Sequence, residues 1–229
     1  MTPGQARLLW DTATRVPDGG RIVEIGSFRG RSTIVLASAA PPGVEVIAID
    51  PHAGNDRGPQ EIEGFADEAA QDHDAFLANL ERAGVADRVR HVRSFSDAAH
   101  AEVDGTVDLL YVDGAHRYGP ALADLRSWGD RVVPGGTMLI HDSFSSVGVT
   151  LAILRALVAG ARWRYVGRSE SMTEYRREHL SPRHRLANAG RQMAELGWFA
   201  RNLVIKALIV ARLGRLTRLL GHDSKTWPY

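Results

Sequence analysis

Cysteine is absent from the 229 residues. That excludes disulfides, thiolate catalysis and cysteine-ligated zinc or iron–sulfur centres. Apolar stretches of the roughly 20 residues needed to cross a bilayer are missing too, because Arg201, Lys206 and Arg212 interrupt the longest candidate. Met1–Trp10 has neither the basic start nor the apolar run of a secretory signal, so a cytoplasmic protein is expected. There is no internal repeat and no low-complexity tract. Acidic residues are scarce in one region only. From Arg176 onward there are 11 Lys and Arg against 3 Asp and Glu, although the whole chain carries a formal charge of only +1. The body is therefore acidic and the last quarter basic.

What is present is a regular alternation. Apolar runs at Arg21–Ile25, Glu45–Asp50, Val89–Arg93, Val107–Val112 and Gly136–His141 read as strands. Helical patterns at Ser32–Ala39, Phe65–Ala83, Gly119–Trp128 and Val147–Ala159 lie between and after them. That order predicts an α/β fold, a Rossmann-like and mostly parallel sheet with helices on both faces. Trp163–Arg168 and Ser171–Arg176 are close enough to pair as an antiparallel hairpin at one sheet edge. The chain divides at 1–177 and 178–229, a ligand-binding domain and a basic helical extension. Between strands two and three, Pro51 to Gly64 reads as a long polar loop carrying His52, Asn55, Asp56 and Arg57.

The first strand runs directly into a glycine-bearing turn that opens a helix: Glu24-Ile25-Gly26-Ser27-Phe28-Arg29-Gly30-Arg31-Ser32. Gly26 and Gly30 let a backbone approach a ligand, and the helix start offers amides to a carboxylate or phosphate. A dinucleotide-binding turn requires glycine where Phe28 stands. Asp50, at the end of the second strand, suits two ribose hydroxyls. The turn resembles the first motif of class I S-adenosylmethionine (SAM) dependent methyltransferases, in the branch with an aromatic at the middle glycine. The resemblance implies cofactor contacts from Glu24, Gly26, Ser27, Phe28, Gly30, Asp50 and Asp113, with Ser32 at the methionine carboxylate. It also brings Ser94, Phe95 and Ser96 to the adenine, Phe95 either stacking on the base or packing inward.

Two further strand ends carry the chemistry. Val112-Asp113-Gly114-Ala115-His116 and Ile140-His141-Asp142-Ser143 each put a carboxylate at the edge where open α/β sheets bind ligands. Asp113 and Asp142 suit a hard cation such as Mg²⁺, with Ser143 as a third oxygen. His116 is placed to act as a base, since imidazole accepts a proton near neutral pH. His141 is open to four readings: substrate contact, support for Asp142, alternative base, or a histidine buried on the sheet. The pattern Asp113-x-x-His116 with Asp142 closing the next strand resembles the metal-dependent O-methyltransferases, in particular the sugar-modifying group related to macrocin and mycinamicin O-methyltransferases. That resemblance covers roughly residues 20–177. It implies a SAM-dependent, Mg²⁺-assisted transfer to a sugar hydroxyl, in its narrowest form the 1-hydroxyl of a short methylated mannoside. It departs from the group at Ser143, where many relatives carry a second acid or an Asn.

In the extension, Trp198, Phe199, Leu203, Val204, Leu208, Ile209 and Leu213 recur at helical spacing with arginines on another face. Subunit packing as a homodimer, or packing onto the chain's own body, is the expected use, ahead of peripheral membrane contact, and a lid over the active site is a third use. Nucleic-acid binding is not expected, since the extension has no recognition motif. The expected partner is a small-molecule or oligosaccharide acceptor. Two rivals remain: methylation of a catechol or other phenolic, and a non-catalytic SAM-binding scaffold that acts through the extension.

Overall fold

The computed structural model describes residues 1–53 and 66–223, with side chains from residue 71 in the second stretch. Helix α1 (Pro3–Ala13) opens with a reciprocal cap: Gln5 N–H donates to the Thr2 hydroxyl, and Thr2 N–H donates to the Gln5 side chain. Then come β1 (Arg21–Ile25), α2 (Arg31–Ala39), β2 (Glu45–Ile49), α3 (Ala66–Arg82), β3 (Val89–Val92), β4 (Val107–Val112), α4 (Tyr118–Ser127), β5 (Val132–Ile140) and α5 (Val147–Ile153), the last continuing as a π turn at Leu154–Val158. Strands β6 (Trp163–Ser169) and β7 (Met172–Arg177) form the expected hairpin, and α6 (Pro182–Ala194) and α7 (Leu196–Val210) follow.

The sheet order is β3-β2-β1-β4-β5-β7-β6. The first five strands pair in parallel, and β7 is antiparallel between β5 and β6. This is the expected Rossmann-like α/β sheet with its antiparallel edge. β1 and β4 leave the centre in opposite directions, the crossover point at which such sheets bind ligands. Strand β5 begins earlier than the sequence pattern indicates, at Val132, and carries Pro134-Gly135-Gly136 within it.

Central strands buried on both sides read as unbroken apolar runs. Ile22, Val23, Val46, Ile47, Leu109 and Leu110 are all fully buried. Complete burial of one such side chain contributes about 1.5–3 kcal/mol. One cluster, containing Trp128, Phe144, Ile153 and Tyr175, fills one side of the sheet, and a second, containing Leu9, Leu36, Phe76 and Tyr111, fills the other.

The extension is fastened to this body. The Asn188 side chain accepts from Tyr165 N–H and donates to Trp163 O, and the Tyr175 hydroxyl donates to Gln192. Leu196, Trp198 and Phe199 pack against the first cluster.

Candidate active site

The register builds the site. Ile25 lies opposite Ile49 and Val112, and Val112 lies opposite Ile140. The next residue on each strand is Asp50, Gly26, Asp113 or His141, so all four emerge at one level of the sheet's C-terminal edge. Asp113 N–H donates to Ile25 O and His141 N–H to Val112 O, which extends the ladder to that level.

Gly26 is required by contact as well as conformation. Its φ is +87°, and a Cβ there would stand 2.3 Å from the Asp113 carbonyl oxygen. Gly30, at φ +81°, precedes α2, whose first turn has no side-chain cap. The first-turn amides of α2 thus remain available to an anionic group. Ser27 is buried and its hydroxyl has no hydrogen-bond partner. An uncapped helix start, an orphaned hydroxyl and a glycine cradle together fit the carboxylate end of a SAM-type ligand.

Other cofactor expectations are corrected in detail. The Ser32 hydroxyl does not face the crevice; it donates to Glu24 Oε1, while Thr33 Oγ1 donates to Glu24 Oε2. Glu24 is completely buried, and burial pushes its carboxyl up to about 8 despite these two hydroxyls. It joins β1 to α2 rather than offering itself to a ligand. Asp50 accepts Phe28 N–H at 2.7 Å and His52 N–H at 2.8 Å, one on each oxygen. Each oxygen keeps a lone pair for a ribose hydroxyl. Phe95 is 62% exposed, so it does not pack inward. Ser94 is half-buried beside it. The Ser96 hydroxyl donates to Asp124, and the Ser96 carbonyl accepts from Trp128.

Across the crevice, four titratable groups converge. Asp113 accepts from the Tyr111 hydroxyl at 2.9 Å, and its other oxygen lies 3.1 Å from His141 Nδ1. His141 Nδ1 is also 3.4 Å from Asp142 Oδ1. These approaches lack good hydrogen-bond alignment, so both His141 ring nitrogens and Asp142 Oδ1 are buried polar atoms without a hydrogen bond. His116 Nε2 donates to the other Asp142 oxygen at 2.7 Å. Burial works against the His141 charge, yet the two flanking carboxylates raise its pKa above the ordinary value. Burial likewise works to raise Asp142, but the His116 hydrogen bond and the charges of His141, His116 and Lys206 hold it below the usual carboxylate range.

Asp142 adopts φ +53° and Phe144 φ +54°. Left-handed backbone at a bulky residue costs of order 1–3 kcal/mol and marks a loop held by its surroundings. The holding groups come from α7: Asn202 Nδ2 donates to Phe144 O at 3.1 Å, and Lys206 Nζ donates to Ser145 O at 2.7 Å. These two residues are part of the site and carry no sequence motif that would have singled them out.

Ser143, expected as a third oxygen, is fully buried, and its hydroxyl donates to Ile140 O and shares a 2.7 Å bond with Thr173. Asp113 Oδ1 and Asp142 Oδ1 both approach His141 Nδ1, and two carboxylates are oxygen ligands of the kind a hard cation takes. Among the described residues no three His, Asp or Glu side chains already converge on one ion position. Such an ion would depend on water and acceptor oxygens for its remaining ligands, as Mg²⁺ commonly does.

His52, read as part of the polar loop, is buried beside Asp50 with His73, Phe76 and His91, its ring 5.0 Å from both histidine rings. Asn55, Asp56 and Arg57 lie outside the described residues.

The sheet order, the glycine turn and the strand-end acids define the class: a Rossmann-like fold of the class I methyltransferase type. Residues 23–143, more than half of the chain, match the family described as a methyltransferase domain, and the chain belongs to that family. It is 30% identical over 126 residues to the uncharacterized protein y4gI of Sinorhizobium fredii, a match covering 54% of this chain and 13% of that protein's length. Its fold is similar to a putative O-methyltransferase from Klebsiella pneumoniae, with a TM-score of 0.60 at 16% identity over 78% of this chain and 81% of that one. It is also similar to the O-methyltransferase TomG from Streptomyces achromogenes, solved with SAM, with a TM-score of 0.57 at 19% identity over 78% and 81% of the two chains.

Proposed function

We propose that this methyltransferase uses SAM to methylate a hydroxyl oxygen of a sugar, assisted by a divalent cation such as Mg²⁺. The observation that carries the reading is the 2.7 Å pair of His116 Nε2 and Asp142 Oδ2, set at the same sheet edge as the Gly26–Gly30 turn. SAM supplies an electrophilic methyl group. Asp113 and Asp142 would hold such a cation, which would supply positive charge that makes an acceptor hydroxyl more acidic.

His116 does the proton chemistry. Its Nε2–H is fixed by Asp142, so the lone pair lies on Nδ1, and Nδ1 takes the acceptor's proton as the carbon–oxygen bond forms and the carbon–sulfur bond breaks. Asp142 holds the ring's orientation and stabilises the imidazolium that results, as the carboxylate does in a catalytic triad. His141, caged by two carboxylates, sets the charge of the crevice and offers Nε2 to the substrate. Gly26, Ser27, Asp50 and the α2 amides hold the donor, and Phe95 lies open at the expected adenine position. Positioning of this kind supplies much of the rate of a two-substrate transfer.

The sugar rests on the likeness of Asp113, His116 and Asp142 to the sugar-modifying O-methyltransferases, and a methylated mannoside is its narrowest form. A labelled-SAM screen over mannosides, other sugars and catechols, with Mg²⁺ or a chelator, tests it. Label entering a sugar and lost on chelation is expected. Label entering only catechols, or transfer indifferent to chelation, contradicts the acceptor or the cation respectively.

A further inference from the structure

Beyond α7, the segment Gly214–Leu220 is a 3₁₀ helix. Such a helix repeats every three residues, so side chains three apart line up in rows. The innermost row holds Thr217, fully buried. A second row is Leu213, Leu216 and Leu219, exposed by 51%, 45% and 84%. Arg215 and Arg218 form a third, and Arg212 stands in the turn just before the helix at φ +60°; all three are exposed, and no ion pair among the described residues engages them. On α7, Val210 and Val204 are also exposed, by 73% and 49%.

Charge selects the occupant. From Leu196 to His222 there are five Lys and Arg and no Asp or Glu. A two-fold dimer sets a patch against itself, and this face and the residue that follows it offer one acid, Asp223, against five cations. An anionic lipid surface supplies what the patch lacks, headgroup anions for the arginines and apolar depth for the leucines beside them. We infer that Arg212, Arg215 and Arg218, together with Leu213, Leu216 and Leu219, form a docking surface for an anionic membrane. The contact is peripheral: no helix among the described residues is long and apolar enough to cross a bilayer. Because α7 also grips the loop of Asp142 through Asn202 and Lys206, docking holds the crevice at a set distance from the surface.

The test is co-sedimentation of the full chain with phosphatidylcholine vesicles, with and without phosphatidylglycerol. Binding to the anionic vesicles, weakened by salt, is expected. Replacing all three arginines with Glu should weaken it by roughly 100-fold or more. The double change Leu216→Asp and Leu219→Asp should also release the protein, while circular dichroism shows both variants folded. Equal binding to neutral and anionic vesicles, or none to either, overturns the inference. So does a stable dimer in light scattering that Leu219→Asp converts to monomer, since a second copy then covers the face.

Discussion

Glu24 gives the sharpest physical prediction. Its carboxyl is completely buried in β1, and its pKa is raised from 4.5 to about 8, first by burial and then by the nearby charges of Asp113 and Asp50, against two hydroxyl hydrogen bonds. Between those two values the folded protein keeps a proton that the unfolded chain releases. Stability is therefore full below about pH 4.5 and declines as pH rises toward 8, by at most ~1.4 kcal/mol per pH unit and ~5 kcal/mol in all. Glu24→Gln is neutral throughout and lacks this slope. Urea unfolding of both proteins at several pH values isolates it, because every other titrating group cancels in the difference. The Gln variant should gain stability relative to the wild type as pH rises from about 5 to 8. A difference that stays flat across that range would mean Glu24 is ionised in the fold, and the reasoning from burial would fail.

Two further predictions follow from local geometry. Gly26→Ala meets both a left-handed φ, worth ~1–2 kcal/mol, and overlap with Asp113 O, worth ~1–3 kcal/mol more; Gly84→Ala, at φ +68° with nothing within 4 Å of the new Cβ, carries only the first. Thermal melts should rank the two in that order, and calorimetry should find SAM binding lost only in Gly26→Ala. His91, packed against His52 and His73, is pushed down to about 4, chiefly by burial and then by the two neighbouring rings. Its contribution is intact above pH ~6.5 and lost as pH falls through about 4, so His91→Gln should move the acid-unfolding midpoint to lower pH. A midpoint that stays where it is would remove His91 from the acid limb.

Sequence patterns reach the parts of this fold that depend on local periodicity. The five parallel strands and the hairpin lie close to where the apolar runs put them. Ile49-Asp50, Ile25-Gly26, Val112-Asp113 and Ile140-His141 could be aligned as strand ends before any register was known. Contacts between distant segments were not legible. Nothing in the spacing of Glu24 and Ser32 says that the hydroxyl turns back to the strand, since that depends on which side of β1 the helix packs. Ser143 looks like a metal ligand until Thr173, on a strand that pairs antiparallel beside β5, takes its hydroxyl. The capture of His116 by Asp142 depends on φ +53° at Asp142, and the support from Asn202 and Lys206 depends on a helix more than fifty residues away along the chain. The cluster of His52, His73 and His91 joins three segments that no local pattern links.

The central claim is that His116, held by Asp142, removes the acceptor's proton. Its most direct test is the initial rate of methyl transfer from labelled SAM at saturating acceptor, comparing wild type with His116→Gln and His141→Gln. The account predicts that His116→Gln lowers kcat by about 10²–10⁴-fold with SAM affinity unchanged, while His141→Gln retains the greater part of the rate. A His116→Gln enzyme at full kcat beside an inactive His141→Gln enzyme would contradict it and make His141 the base.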